Sequence, residues 1–178
     1  GSEMCIRDRG NISSWVAYDL GLKGTSFSHS ITCSTALHSV LNAIAWIQSG
    51  MANKFIVGGA EAPLSEFTIS QMRALKIYSN EKGDYPSLPL EKIKKRNSMV
   101  LGEGAAMFCL EKAHVNEGLA KIEGFGYHTE LIEHNVSLSS EADCLQKSMK
   151  MALENAAISE VDSIVMHAPG TVSYTHLT

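Results

Sequence analysis

The densest apolar stretch lies between positions 33 and 49, where Ala36, Leu37, Val40, Leu41, Ala43, Ile44, Ala45 and Ile47 leave almost no polar face. A helix so apolar is expected to be covered on most of its sides, and Gly50 is placed to end it. Positions 11–20 read as an earlier helix, closed by a Gly21-Leu-Lys-Gly24 turn. The β-branched, Ser-rich run 25–31 reads as a strand, and the apolar run 54–57 as a buried strand that leads into Gly58-Gly59. Positions 67–75 predict another helix. The segment 78–97 holds Pro86, Pro89 and many charges, and predicts a surface loop. Positions 105–110 and 120–126 predict an antiparallel pair. The run 141–157 puts Ala142, Leu145, Met149, Ala152, Leu153 and Ala156 on one helix face, and 164–167 predict a last strand. Strands alternating with helices give an α/β fold in layers, with no internal repeat.

Composition narrows the class. Hydrophobic residues make up 44% of the 178 and charged residues 19%, which suits a globular chain rather than a disordered one. A net charge of −4 gives no support for nucleic-acid binding. The single basic cluster, Lys92-Ile-Lys-Lys-Arg96, reads as a solvated turn, at most a weak docking patch for an acidic carrier protein. Cys33, Cys109 and Cys144 are too widely spaced for a disulfide framework or a zinc site, and His114, His128 and His134 show no metal-ligand grouping. We expect no metal and no cofactor. No apolar stretch has the length and freedom from polar residues of a membrane span, and a cytoplasmic location is expected.

Two residues carry candidate chemistry. Cys33 stands at the start of the apolar helix, where backbone N–H groups and the helix dipole favour a thiolate nucleophile. A small buried hydrophobe is the commoner fate of an unpaired cysteine, so context has to decide. His167 ends the last predicted strand in Asp162-Ser-Ile-Val-Met-His-Ala-Pro-Gly-Thr171, and α/β folds collect their chemistry at such strand ends. A helix-capping thiol and a distant strand-end imidazole together suit acyl transfer.

Four segments, Ile31-Thr-Cys-Ser-Thr-Ala-Leu-His38, Val57-Gly-Gly-Ala-Glu61, Val100-Leu-Gly-Glu-Gly-Ala105 and His167-Ala-Pro-Gly-Thr171, stand in the order and spacing of the β-ketoacyl synthases. The chain resembles this family of condensing enzymes over nearly all of residues 10–171. The resemblance implies a partial thiolase-like fold, a layered α-β-α-β-α architecture incomplete at both ends. It implies that Cys33 is acylated by an acyl thioester on acyl carrier protein. A malonyl thioester then loses carbon dioxide, and its enolate attacks the acyl-Cys, a decarboxylative Claisen condensation of fatty-acid or polyketide synthesis. His167 matches the first of two histidines that polarise the malonyl thioester carbonyl. The second histidine and a lysine are expected downstream. Thr171 matches a threonine that hydrogen-bonds the pantetheine arm. The implied partners are the acyl carrier protein and a second synthase subunit, as a homodimer or heterodimer.

Two departures stand out. Ala168-Pro169 replaces the family's Gly-Thr, which removes one hydroxyl and stiffens the turn. Leu88-Pro-Leu-Glu91 replaces its Arg-Pro-Phe/Trp-Asp. These suggest a divergent subgroup, in specialised polyene or polyketide synthesis. Two other readings stay open. One is a thiolase-fold acyltransferase using coenzyme A, disfavoured by Val-Leu-Gly-Glu-Gly and the His-x-x-Gly-Thr turn. The other is a non-catalytic partner subunit of a condensing enzyme, disfavoured by Cys33.

The other polar residues read as structural. His38 is expected to pack on its helix or at a dimer interface, and His29 to lie in the strand before Cys33. Glu61 is expected to be a buried, hydrogen-bonded carboxylate. Gly102-Glu-Gly104 lacks the third glycine and the helix of a phosphate cradle and reads as a tight turn. Cys109 and Cys144 read as ordinary core or surface thiols.

The two ends do not fit the family pattern. Gly1-Ser-Glu-Met-Cys-Ile-Arg-Asp-Arg9 and Val172-Ser-Tyr-Thr-His-Leu-Thr178 are what the transposon-end adapter of sequencing libraries encodes in its two orientations. We expect 1–9 and 172–178 to be adapter-derived and non-native, like a fusion scar. Residues 10–171 would then be a synthase fragment, the rest of the N-terminal half plus the start of the C-terminal half. Such a fragment is expected to be inactive and to leave apolar faces open, with aggregation the result.

Overall fold

The computed structural model describes residues 12–112, 118–131 and 141–172. Both terminal segments apart from Val172 lie outside them, as do His114 and His134. The chain forms two compact units, one of residues 1–61 with 104–118 and one of residues 62–103 with 119–178.

The first unit opens with helix α1, Ile12–Asp19. It stops at Gly21, whose φ of +66° only glycine adopts freely. Leu22 N–H reaches back to Ala17 C=O at 2.7 Å and Gly21 N–H to Tyr18 C=O at 3.2 Å, the paired bonds of a Schellman stop. A 3-10 turn, Thr32–Ser34, leads into α2, Thr35–Gln48. Gly50 (φ +76°) closes α2 in the same way, with Met51 N–H on Trp46 C=O. Strand β1, Lys54–Glu61, pairs antiparallel with β2, Gly104–Glu111, in the register Val57 to Phe108 and Gly58 to Met107. Helix α2 lies on β1. Phe27, Trp46 and Phe55 form a ring cluster there with centroids 5.2–6.3 Å apart.

The second unit holds α3, Glu66–Ala74, and α4, Asp143–Ala156. Ser65 caps α3 by accepting Thr68 N–H at 3.2 Å, with Glu66 in the first turn and Arg73 in the last, complementing the helix dipole. Glu130 caps α4 by accepting the Cys144 N–H at 3.0 Å. The extended segment 120–126 lies directly on α4. A Cβ at Gly126 would come within 2.0 Å of Ser148 C=O, and one at Gly124 within 2.3 Å of Ala152 C=O.

Several expectations change. β2 finds its partner in β1, not in 120–126, which carries no ladder. The two glycines explain why: their missing side chains let that segment meet a helix instead. Residues 25–31 and 164–167 belong to no strand, since β propensity makes a strand only where a partner ladder exists. Gly58-Gly59 lie inside β1 rather than at its end. Residues 101–103 form no turn and lead directly into β2. Glu61, at the exposed end of β1, is not buried.

Helix α2 is not covered either. Ala43 is its one buried residue and Leu37 is 68% exposed. Among the described residues only Ala43, Val57 and Ala142 are buried hydrophobics. A helix apolar on most sides needs layers on most sides, and among the described residues of its unit the β1–β2 sheet covers one of them.

Candidate functional site

Cys33 sits on the 3-10 turn ahead of α2 rather than on the helix itself, with its thiol exposed. The residue before it, Thr32, has φ +50°, a left-handed conformation that a β-branched residue adopts only under constraint. The constraint is local. Thr35 Oγ1 accepts the Ile31 N–H at 2.9 Å and donates to Thr32 C=O at 2.7 Å, while Ser34 Oγ donates to Ile31 C=O at 3.1 Å. One turn further on, His38 Nδ1 lies 3.0 Å from Ser34 C=O. Its ring thus lies back along the first turn of its own helix, consistent with a packed helix histidine.

The strand below fixes the height of this shoulder. A Cβ at Gly59 would lie 3.2 Å from the Ala36 methyl, and one at Gly58 2.1 Å from Ala106 C=O. Ser39 Oγ bridges Ala36 C=O at 2.7 Å and Gly58 C=O at 3.3 Å. The double glycine therefore lets α2 settle onto β1 within three residues of the thiol. Beside it, a cleft of about 770 Å³ opens between α1, residues 22–29, α2 and β1. Phe27 and Trp46 form part of its wall. His29 also faces it, and its Nε2 is buried without a hydrogen-bond partner. His29 is half-buried and belongs to no strand.

His167 and Thr171 share one turn, in the second unit. His167 is exposed, Thr171 half-buried and Gly170 fully buried. Two left-handed residues shape the turn, Ala168 at φ +36° and Gly170 at +82°. A Cβ on Gly170 would press at 3.1 Å on Met99 N and on both the carbonyl carbon and Oγ of Ser98. The contacts come from residues 97–99. Gly170 C=O accepts Ser98 N–H at 2.8 Å and Ser98 Oγ at 3.2 Å, and Asn97 Oδ1 accepts Val172 N–H at 2.8 Å. Lys94, read from sequence as part of a solvated turn, is only 7% exposed. It donates to Leu88 C=O and, at 3.1 Å, to Ser98 Oγ. Arg96 of the same cluster pairs with Glu81 at 2.8 Å.

Charge and spacing alone concealed these roles. A basic run ordinarily marks a solvated face, and the only sequence hint was the polar Asn97-Ser98 pair ahead of the apolar Met99-Val-Leu101. Cys109 is exposed. Cys144 is half-buried, and burial first, then the neighbouring Glu130 carboxylate, pushes its thiol pKa up. Among the described residues no group of three or more His, Cys, Asp or Glu could hold a metal ion. No helix there is long and apolar enough to cross a membrane.

The family model of the β-ketoacyl synthase N-terminal domain matches residues 4–116, which include Cys33 and the whole double-glycine strand. The chain belongs to the β-ketoacyl synthases. The 3-oxoacyl-[acyl-carrier-protein] synthase 2 of Rhizobium meliloti is 28% identical over 158 residues, covering 84% of this chain and 37% of the relative. That of Staphylococcus aureus is 28% identical over 162 residues, covering 88% and 40%. The chain thus spans about two-fifths of the length of these curated relatives.

Solved structures share the fold. A type II PKS acyl-carrier protein in complex with its ketosynthase matches with a TM-score of 0.81 at 23% identity, covering 99% of this chain and 45% of that one. A ketosynthase in complex with its chain length factor, from Xenorhabdus doucetiae, also gives 0.81 at 23% identity, covering 96% and 40%. The β-ketoacyl synthase of Burkholderia phymatum gives 0.66 at 24% identity, covering 90% and 41%. The fold is the thiolase-like fold of ketosynthases, present here in part.

Proposed function

We propose that the full-length protein containing this chain catalyses decarboxylative Claisen condensation between an acyl thioester and a malonyl thioester on acyl carrier protein. The Cys33 sulfur attacks the acyl thioester carbonyl, and the carrier thiolate leaves. The malonyl group breaks its bond to the carboxylate and releases carbon dioxide, and the electron pair remains as an enolate. His167 donates a hydrogen bond to the thioester oxygen on which that charge develops. The enolate carbon attacks the acyl-Cys, the Cys33 thiolate leaves, and a β-ketoacyl thioester remains on the carrier. Thr171 holds the pantetheine arm. The pathway is fatty-acid or polyketide/polyene synthesis, in the cytoplasm, with a second synthase subunit as partner.

The observation that carries this reading is the shoulder at Cys33. An exposed thiol follows a left-handed threonine, at a helix start lowered onto a double glycine, within the span that matches the family. The test is to incubate the full-length protein with acyl- and malonyl-acyl carrier protein. We expect an acyl adduct on the peptide containing Cys33 and a β-ketoacyl product. Adduct with coenzyme A thioesters alone would favour the other acyltransferase reading, and no adduct would refute catalysis by Cys33.

We also read 1–9 and 172–178 as adapter-derived, although the family match begins at residue 4 and overlaps the first of them. Resequencing the parent locus across both ends decides this. Native sequence continuing past Thr171 into a further histidine and lysine is the expected result, and genomic flanks identical to the present ends would refute it.

A further inference from the structure

We propose that Asn97 and Ser98, with Lys94 behind Ser98, are positioning residues that set the His167–Thr171 turn for the condensation step. The proposal rests on the reading of His167 given above. The turn needs such a support. The residues leading into it, 164–167, belong to no ladder, and Val165 is 98% exposed. Ala168 holds a left-handed conformation, which in a residue with a side chain persists only where surroundings over-determine it, and Gly170 supplies a second that glycine adopts freely. Residues 97–99 supply contacts of that kind, with Lys94 behind them.

The hydrogen-bond pattern leaves each group one role. Asn97 Nδ2 donates to Lys76 C=O at 2.8 Å, at the left-handed end of α3 (Lys76 φ +58°). That bond fixes the amide so that its oxygen faces Val172 N–H. The donor is a backbone amide, which any residue but proline supplies, so the contact does not depend on which side chain follows Thr171. Lys94 has only donors. Its ammonium on Ser98 Oγ leaves the hydroxyl hydrogen for Gly170 C=O. Among the described residues Lys94 forms no ion pair. Its buried charge is therefore spent on Leu88 C=O and on this relay. An ammonium, a hydroxyl and the carbonyl of the 170–171 peptide thus stand in line, and such chains polarise one another. The other end of that peptide is the N–H of Thr171.

The two half-reactions separate this role from plain stability. Acylation uses Cys33, in the first unit, whereas condensation uses His167. In the full-length protein, Asn97→Ala is expected to lower the rate of condensation from pre-acylated enzyme by about 10- to 100-fold, the scale of a misplacement near 1 Å. Ser98→Ala removes the hydroxyl, and with it one of the two partners of the Lys94 ammonium, but keeps the backbone bond to Gly170, and should lose about 10-fold. Cys33 acylation, read by intact mass, should stay within about two-fold in both. Asn97→Asp keeps an acceptor for Val172 N–H but loses the donor to Lys76 C=O, so it should restore only part of the condensation rate, while Asn97→Leu should restore none.

Native condensation in Asn97→Ala and Ser98→Ala would overturn the proposal. So would equal losses of acylation and condensation alongside a lowered melting temperature. His167→Ala, run in parallel, distinguishes the failures. If it abolishes condensation while the Asn97 and Ser98 variants do not, the positioning role is wrong and the reading of His167 stands. If it leaves condensation intact, that reading falls and this proposal with it.

Discussion

The shoulder that carries Cys33 and the turn that carries His167 both contain strained, left-handed residues, but they are restrained over very different distances in sequence. Thr32 is held by hydroxyls two and three residues away, Ser34 Oγ on the preceding Ile31 C=O and Thr35 Oγ1 on its own. Gly170 is held by Ser98, 72 residues earlier, and Val172 by Asn97, 75 residues earlier. The first arrangement is a property of a short motif. The second is a property of the fold, and a change in a remote loop can disturb it without touching the turn.

The sharpest way to break the comparison is to remove the Cys33 thiol. Cys33→Ala should abolish the acyl adduct in the full-length protein and lower condensation by about 10³-fold or more, while leaving the His167 turn intact. Intact mass and product formation check it. Next in size, Gly58→Val would drive a side chain into the Ala106 carbonyl. It should cost about 3 kcal/mol, read as a lower urea midpoint at unchanged slope.

Gly170→Ala tests the other region. Its φ of +82° and the 3.1 Å approach to Met99 N predict a loss of about 1–3 kcal/mol. Condensation should suffer while acylation does not. Thr35→Val removes the hydroxyl that closes the Cys33 shoulder and should cost about 1 kcal/mol. Here acylation should slow and condensation from pre-acylated enzyme should not. A crossed result in either variant would mean that the two regions are not separately restrained.

The smallest effect concerns Cys144. Burial and Glu130 raise its pKa, so less thiolate is present at neutral pH. Iodoacetamide should label it more slowly than the exposed Cys109, with the gap narrowing as pH rises past the ordinary thiol range. Equal rates at neutral pH would contradict the packing around Glu130.

This contrast also explains what could be seen in the sequence. Helices α1 to α4 and strand β1 were legible, because periodicity and the glycine stops at Gly21 and Gly50 are local signals. So was the position of Cys33 just ahead of the apolar helix, whereas the double glycine takes its meaning from Ala36 and Ala106, far along the chain. The partner of β2 was not, since extended propensity in 120–126 says nothing about which surface that segment meets. The segments 25–31 and 164–167 illustrate the same gap, with strand-like composition but no ladder. Lys94 was misread because a basic run carries no mark of burial. Only the fold brings Leu88 and Ser98 to its ammonium.

The 72-residue span between Ser98 and Gly170 has a consequence for the order of folding. Closing a loop of that length costs about 4 kcal/mol of chain entropy, against far less for the four residues that join Ile31 to Thr35. During synthesis the thiol shoulder can therefore form long before the histidine turn has been translated. The cysteine shoulder can thus stand complete while the histidine turn still waits for its distant partner.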